Sequence, residues 1–427
     1  MIYLVNPSEK HLFDNAGDRL PYGLLCLSSF LKSKGFKTKV WDLNHQNIND
    51  MLYQANSKQD KTKYFCIGIA TPVYDEALKI AKKIRTNYEE VVIIAGGNHV
   101  TDFPDQTETH LIFDHVIVGD GENALLRIVQ GEKCDKILYS PPVKNLDFLP
   151  MPDYKGVDMK KYSLQIDGKP GSLLITSRGC KHNCCYCGSA VSLNKAKMKL
   201  YRERSPESVV EEMEVLYYKY GRKGFYFADD VFTANKKRVM KLCELINKEF
   251  GCDITWRATT RADLLDEELI VTMKKAGCNI ISLGLESGND DVLKKINKGM
   301  TVQQNKKVVE TCHKHGVKVK GFFIIGLPGD DEQTVRQTIN FAKSLQLEYV
   351  DFYPLTPYPN TQIWNNPEKY GIEIIKPDSN NWSNYLQVGK GGEVFINIKH
   401  PNFSAERIVE LVMIARKECS VGGSTYK

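Results

Sequence analysis

Four cysteines are crowded into one short segment of the chain. Cys180, Cys184, Cys185 and Cys187 lie within eight positions, directly after the apolar run LLIT. Such a group could form disulfide bonds, a zinc site, or a cluster site that leaves one ligand position open. Disulfide bonds at these short spacings are disfavoured because the bond requires a specific separation of the two backbones. The spacing therefore favours a metal site.

The spacing of three of these cysteines suits an iron–sulfur cluster. Cys180, Cys184 and Cys187 form a C-x-x-x-C-x-x-C pattern, and one loop can bring three thiolates to one face of a 4Fe–4S cluster. Such a cluster normally takes four cysteines. If Cys185 points away, one iron is left to bind a substrate or cofactor directly. The alternative is a zinc site in which Cys185 or His182 is the fourth ligand.

Composition limits the classes of protein to consider. The chain has 427 residues, 42% of them hydrophobic, and a formal net charge of +6 without any block of like charge. Nucleic-acid binding is therefore not indicated. The longest apolar runs fall far short of the ~20 residues that span a bilayer. The N-terminus, MIYLVNPSEK, lacks the apolar core of a signal peptide. We expect a cytoplasmic protein, in which the eight dispersed cysteines are small core side chains.

Residues 1–138 alternate between apolar strands and amphipathic helices. Five strands are predicted, and continuous apolar strands separated by helices indicate a parallel sheet covered on both faces. This predicts a Rossmann- or flavodoxin-like α/β domain. Three of its strands end in the loop sequences ATP, AGGNH and GDGEN. Ligands of open parallel sheets bind at that carboxyl edge. Residues 139–170 are rich in proline and polar residues, and we interpret them as a linker.

Residues 171–378 contain six strand–helix units in a row. This pattern predicts a partial (β/α)6 barrel of the TIM type, with its chemistry at the carboxyl ends of the strands. The cysteine segment follows the first of these strands. Residues 379–427 form a C-terminal extension with one helical stretch, SAERIVELVMIARKEC.

The cysteine segment and the strand ends that follow it resemble the radical S-adenosylmethionine (SAM) superfamily. The similarity extends over FYFADDVFT, TWRATTRAD, IISLGLESGNDD, GFFIIGLPGDD and FYPLTPYPN. In that family, Cys180, Cys184 and Cys187 would bind a 4Fe–4S cluster whose open iron chelates SAM. The resemblance further implies that SAM is contacted by Tyr186, Asp229, Asp230, Arg261, Glu286, Ser287 and Ile325.

The N-terminal half resembles the cobalamin-binding branch of the same superfamily. The similarity is carried by LPYGLLCLSSFLKSKGF, AGGNHVT and VGDGENALLRI. It implies that cobalamin is contacted by Tyr22, Thr71, Gly96, Gly97, Asn98, Gly119, Gly121 and Glu122. The Asp-x-His-x-x-Gly signature of cobalt-ligating domains is not matched: Asp42 is followed by LNHQN, so we interpret His45 as an ordinary loop histidine.

The resemblance implies a radical enzyme with three cofactors: a 4Fe–4S cluster, SAM and cobalamin. The expected reaction is methyl transfer to an unactivated carbon or to phosphorus of a small molecule, lipid or peptide. An external electron donor of the flavodoxin or ferredoxin type is expected. Alternatives are cyclisation or rearrangement, methylthiolation, which needs a second cluster on three N-terminal cysteines, and a non-catalytic zinc or corrinoid sensor.

Overall fold

The computed structural model describes residues 1–56, 63–190, 201–377 and 382–419. Within them the chain forms two compact units. The first contains the described residues up to 163 and those of 377–386, and the second contains those of 164–191, 199–376 and 387–427. No helix among the described residues combines the length and apolar character needed to cross a bilayer.

The first unit is an α/β unit built on one parallel sheet. Its elements are β1 (Ile2–Asn6), α1 (Tyr22–Ser33), β2 (Thr38–Asp42), α2 (Ile48–Asn56), β3 (Lys63–Gly68), α3 (Tyr74–Asn87), β4 (Val91–Gly96), α4 (Asn98–Asp102), α5 (Thr107–Ile112), β5 (His115–Gly119), α6 (Gly121–Val129) and β6 (Ile137–Ser140). The strand order is β2-β1-β3-β4-β5-β6, and every neighbouring pair is parallel. The strand order changes direction between β1 and β3, which lie next to each other, as in doubly wound folds.

Local sequence explains these elements. The strand VVIIAG of β4 is buried along most of its length because helices cover both faces of the sheet. In α3, the buried residues Ala77, Ile80, Ala81 and Ile84 recur at helical spacing and form the face that packs on the sheet.

The predicted linker is largely part of the first unit. A sixth strand, β6, crosses the predicted boundary at residue 138, and the unit runs on to Ser163. The proline-rich stretch is anchored by side chains: Ser28 Oγ donates to Asp153 Oδ2 at 2.7 Å, and the Tyr162 hydroxyl donates to Asp42 Oδ2 at 3.0 Å. The sequence did not reveal this because isolated hydrogen bonds leave no periodic pattern.

The second unit is an open sheet of parallel strands with helices on its outer face. Its elements are β7 (Gln165–Ile166), β8 (Lys169–Leu174), β9 (Ser177–Arg178), β10 (Arg202–Glu203), α7 (Pro206–Glu214), β11 (Gly224–Phe227), α8 (Lys236–Phe250), β12 (Thr255–Thr260), α9 (Glu267–Lys275), β13 (Cys278–Glu286), α10 (Asp290–Lys295), α11 (Val302–Lys314), β14 (Lys318–Ile325), α12 (Glu332–Ser344), β15 (Tyr349–Pro354), α13 (Gln362–Asn365), β16 (Glu373–Ile374), β17 (Ile398–Lys399) and α14 (Ala405–Cys419).

Six of these strands are the predicted barrel strands. They lie in the order β15-β14-β13-β12-β11-β8, all neighbours being parallel, and β7 adds an antiparallel hairpin beside β8. The predicted fold class, a Rossmann-like domain followed by a partial barrel, is confirmed. The predicted extension 379–427 is divided between the units: residues 382–386 belong to the first, and α14 packs against α12 and β15 in the second.

Candidate functional site

The cysteine segment begins where β8 ends, at the carboxyl edge of the second sheet. Cys180 and Cys184 are buried, and Cys187 is half-buried. Burial, with a contribution from the nearby Cys184, raises the pKa of Cys180 and raises that of Cys187 to about 11. These desolvated thiols therefore lie close enough to interact and lose their protons when a metal binds them.

Asp229 fixes the entry to the cysteine segment. Its Oδ1 accepts from the Thr176 and Ser177 amides at 2.6 and 2.8 Å, and its Oδ2 accepts from Thr176 Oγ1 at 2.5 Å. Asp229 is buried at the end of β11. Asp229 thus joins the ends of two neighbouring strands, and its predicted contact with SAM stays a prediction.

The sulfurs of Cys180, Cys184 and Cys187 each accept a hydrogen bond from nitrogen, that of Cys187 from the Ser189 amide. The His182 amide donates to Cys180 Sγ at 3.4 Å, and Arg261 Nη1 donates to Cys184 Sγ at 3.5 Å. Hydrogen bonds to the sulfurs are one of the means by which proteins tune iron–sulfur clusters. The donor set around these thiols thus fits the cluster that the resemblance implies.

Cys185 makes a different set of contacts. It is fully buried, its amide donates to the Ile296 carbonyl at 3.0 Å, and its carbonyl accepts from the Ile363 amide at 3.1 Å. Its thiol interacts with the Tyr370 hydroxyl, and burial raises the pKa of this thiol to about 12. The Cys185 side chain therefore bonds Tyr370, which none of the other three cysteines contacts through its thiol.

The described residues contain no group of three His, Cys, Asp or Glu side chains placed to hold a single metal ion. Thiolates that bind separate irons of one cluster stand farther apart than the ligands of a single ion. The arrangement is compatible with a cluster held by one loop.

A buried ion pair supports the cysteine segment from the next strands. Lys298 Nζ lies 2.7 Å from Glu286 Oε1, with both side chains more than nine-tenths buried. Tyr186, between two of the cysteines, also bonds the Glu286 carboxylate. Glu286 has φ of 64°, at a break in the pairing of β13 with β14. Non-glycine residues in this left-handed region are strained and cluster at functional sites.

Residues 296–298 clamp the cysteine segment through several contacts. Asn297 Nδ2 donates to the Asn183 carbonyl at 2.9 Å, and the Lys298 carbonyl accepts from Arg261 Nη2 at 2.6 Å. Asn297 also has a left-handed φ, 56°. Our sequence interpretation did not assign a role to Asn297 or Lys298, because the sequence NKG reads as an ordinary turn.

The other residues expected to contact SAM fall into two groups. Asp230 is exposed and accepts from Ser189 Oγ at 2.7 Å, so it lies beside the cysteine segment. Ser287 is buried, and its hydroxyl interacts with Thr338 Oγ1 at 3.2 Å and accepts from the Asn289 amide. Ser287 thus links the start of α10 to α12, and its predicted contact with the cofactor stays a prediction.

The structure places Ile325 near the carboxyl end of β14, and its predicted contact with SAM stays a prediction. Phe323 stacks on Phe352 and contacts Phe341 of α12, so it faces the helix layer. Ile325 follows two positions later on the same strand and is fully buried. Because side chains alternate along a strand, Ile325 shares that outer face, and Ile324 takes the inner one.

The residues predicted to bind cobalamin lie around the carboxyl edge of the first sheet. Thr71 follows β3, Gly96–Asn98 begin at the last residue of β4, and Gly119–Glu122 begin at the last residue of β5, while Tyr22 begins α1 after the loop from β1. Gly97, Asn98 and Gly119 are exposed, whereas Tyr22 and Glu122 are buried. The contacts of these residues with cobalamin stay a prediction.

Glycine is required at this edge for steric reasons. Gly97 has φ of 107°, and a Cβ there would lie 2.6 Å from the Ile69 carbonyl oxygen. Gly119 has φ of 94°, and its Cβ would lie 2.9 Å from the Ser140 carbonyl oxygen. The result is an exposed edge made largely of backbone, which fits a broad, flat group such as a corrin ring. His45 bonds the Gly17 carbonyl at 2.8 Å as a loop residue.

Replacing Arg261 by alanine is predicted to weaken SAM binding. Among the described residues, its guanidinium donates to Asp263 twice, to Lys298 and to Cys184, which leaves one N–H for a ligand. Loss of one charged hydrogen bond corresponds to about 1.5–3 kcal/mol. Calorimetry with SAM on the anaerobic protein measures this change, with Asp263→Asn as the control that keeps the guanidinium. Unaltered affinity would remove Arg261 from the site.

Two family models match the chain in the places where the two sites lie. The Radical SAM superfamily model matches residues 174–342, and the B12 binding domain model matches residues 14–129. Each match contains the sheet edge described above for its unit.

Comparisons with individual proteins agree with these matches. The chain is 34% identical over 411 residues to the uncharacterized methyltransferase PH0819 of Pyrococcus horikoshii, covering 92% of this chain and 86% of that protein. It is 27% identical to the anaerobic magnesium-protoporphyrin IX monomethyl ester cyclase of Rubrivivax gelatinosus, covering 85% and 71%.

A solved structure has the same fold over nearly the whole chain. The radical SAM methyltransferase TsrM from Kitasatospora setae, solved with cobalamin and a 4Fe–4S cluster, superposes with a TM-score of 0.74, covering 98% of this chain and 88% of that one at 18% identity. From its two domain matches and its full-length relative, this chain belongs to the radical SAM superfamily, in the branch that carries a B12 binding domain.

Proposed function

We propose that the protein is a cobalamin-dependent radical SAM methyltransferase acting on an unactivated carbon, or on phosphorus, of a small molecule, lipid or peptide. The observation that carries the proposal is that the four cysteine sulfurs have different hydrogen-bond partners. The sulfurs of Cys180, Cys184 and Cys187 accept hydrogen bonds from His182, Arg261 and Ser189, while the Cys185 thiol bonds the Tyr370 hydroxyl. Three thiolates remain for a cluster, so one iron stays open for SAM.

The family brings three cofactors: a 4Fe–4S cluster, SAM and cobalamin. When bound, the cluster supplies the electron that cleaves SAM, and cobalamin supplies a carrier for the methyl group. The chain's own contribution is to ligate and orient. Cys180, Cys184 and Cys187 ligate the cluster, the exposed carboxylate of Asp230 matches the ammonium of SAM, and Arg261 matches its carboxylate.

The inner face of the second sheet offers a site for the substrate. Tyr226, Arg257 and Phe322 are half-exposed, although the alternating residues on the outer face are fully buried. The Arg257 guanidinium lies 4.3 Å from the centre of the Tyr226 ring. The half-buried Lys320 forms an ion pair at 2.7 Å with the buried Asp351 on the same face. We propose that this mixture of aromatic and charged groups contacts the substrate.

Methylthiolation is the rival within the same superfamily. It would need Cys26, Cys66 and Cys134 to bind a second cluster. Cys26 lies in α1, Cys66 lies in the buried part of β3, and Cys134 follows α6. Burial raises the pKa of Cys66 far above that of a free thiol, as expected for a core side chain. Iron analysis separates the two: about four irons per chain support our proposal, and about eight support the rival.

The cyclase among the relatives favours a second candidate, radical chemistry without methyl transfer. The products of SAM separate the two candidates. Methyl transfer converts SAM to S-adenosylhomocysteine, whereas a purely radical reaction yields only 5′-deoxyadenosine and methionine. A non-catalytic zinc or corrinoid sensor would yield neither product.

The experiment is anaerobic reconstitution with iron, sulfide and hydroxocobalamin, followed by reduction in the presence of SAM. We expect about four irons, bound corrinoid, and both S-adenosylhomocysteine and 5′-deoxyadenosine. Flavodoxin or ferredoxin is the class of electron donor that we propose for the cell, because radical SAM enzymes need a reductant. Zinc in place of iron, or no cleavage of SAM, would refute the proposal.

A further inference from the structure

A short C-terminal segment belongs to the cobalamin-binding unit. Residues 382–386 group with the first unit, although α14, which follows them, lies in the second. We call residues 382–386 the return segment. Trp382 is 6% exposed and Tyr385 is fully buried, so the return segment is packed into this unit.

The return segment contacts the loop that follows β4. The Trp382 ring lies edge-on to the His99 ring at 4.8 Å and is also 4.8 Å from the Phe103 ring. His99 directly follows Asn98, one of the residues expected to contact cobalamin, and lies with it in the short helix α4. Trp382 therefore covers the back of the Gly96–Asn98 loop.

The return segment also binds the element that follows β3. The Ser383 amide donates to Asp75 Oδ2 at 3.2 Å, and the Trp382 amide bonds the same carboxylate. Asp75 lies in the first turn of α3, directly after the turn that contains Thr71. Two consecutive amides of the return segment therefore bond the start of α3, directly after the turn that contains Thr71.

His99 joins the two loops beneath Trp382. Its Nδ1 lies 3.4 Å from Thr71 Oγ1, and its Nε2 lies 3.0 Å from Gln106 Oε1. Complete burial lowers the pKa of His99 to about 4, so the ring is neutral near pH 7 and each nitrogen has a polar partner. A neutral, fully buried ring between Thr71 and Trp382 couples the two loops mechanically.

We propose that the return segment holds the Thr71 and Gly96–Asn98 loops in the geometry that binds the corrin, with Trp382 as its positioning residue. The inference rests on the proposed cobalamin dependence. The conformational entropy of these loops is lost when the chain folds, so cobalamin binding does not have to order them again. A binding site whose competent state is populated one-tenth of the time loses about tenfold in apparent affinity.

The test measures hydroxocobalamin affinity by absorbance titration, well below the melting temperature of each variant. Trp382→Ala is expected to bind hydroxocobalamin about tenfold or more weakly, with iron content and 5′-deoxyadenosine formation unchanged. Trp382→Phe should restore most of the affinity because it keeps an aromatic ring against His99. Phe148→Ala is the matched control, since Phe148 is in the same unit but is 83% exposed.

A second variant covers the case in which Trp382→Ala does not fold. Asp75→Asn removes the charge that accepts the two amides and should also weaken binding, while Trp382→Phe stays folded. Wild-type affinity in both Trp382→Ala and Asp75→Asn overturns the inference and leaves the proposed function intact. Failure of the wild-type protein to bind hydroxocobalamin overturns both.

Discussion

Replacing Cys184 by alanine is expected to abolish the cluster and, with it, the cleavage of SAM. With three thiolate ligands, one iron of the cluster already lacks a protein ligand. Removing Cys184 leaves a second iron without one, and two thiolates are too few to retain the cluster. Cys184 also receives the Arg261 N–H and lies between the other two ligands in sequence. The readouts are iron content, visible absorbance and 5′-deoxyadenosine formation in anaerobically reconstituted protein.

Cys185→Ala is the matched control, one position away in the same segment. Its thiol contacts Tyr370, so the substitution removes a buried sulfur without removing a cluster ligand. Iron content and SAM cleavage should survive, with at most the loss of stability that a small core cavity causes. If Cys184→Ala kept the cluster, or if Cys185→Ala lost it, the ligand assignment would be wrong.

Periodicity predicted the parts of the fold that repeat. Alternating apolar strands and amphipathic helices gave the two sheets and all six parallel barrel strands, because burial on two faces constrains every residue of a strand. It missed β6, ILYS, because Tyr139 of this edge strand is 60% exposed and the strand therefore lacks the continuous apolar run of its neighbours. It also missed the return segment, since a contact such as Trp382 on His99 joins residues almost three hundred positions apart.

The order of the motifs along the chain predicted which strand ends carry the site, but it did not determine where each side chain points. Asp229 and Asp230 are adjacent, yet one is buried against Thr176 and the other is exposed beside Ser189. Ile324 and Ile325 are likewise adjacent, and alternation along β14 points their side chains to opposite faces. Strand register decides such cases, and a shift of one residue exchanges the two faces.

Replacing Lys298 by methionine is expected to have the second large effect. Lys298 neutralises Glu286 at 2.7 Å, with both side chains buried. Removing one partner leaves an uncompensated buried charge, which costs about 3–5 kcal/mol of stability. Because Glu286 also holds Tyr186 within the cysteine segment, we expect a lower melting temperature together with reduced iron retention.

Lys320→Met provides the matched control for this effect. Lys320 pairs with Asp351 at 2.7 Å on β14 and β15, so it tests the loss of a similar ion pair that does not contact the cysteine segment. We expect it to lower stability and to leave iron content per folded chain unchanged. In the double variant Lys298→Met with Glu286→Gln, the amide can still accept from Tyr186, so most of the stability should return.

The comparison of these variants separates a local role from a general one. If Lys298→Met and Lys320→Met lost iron equally, the Glu286–Lys298 pair would be one more stabilising contact of the second unit. Iron loss confined to Lys298→Met, with recovery in the double variant, would tie the cluster to the pair itself. The left-handed φ of Glu286 and Asn297 then has a physical reason: the pair compensates for strained backbone that brings the Glu286 carboxylate to Tyr186 and the Lys298 carbonyl to Arg261.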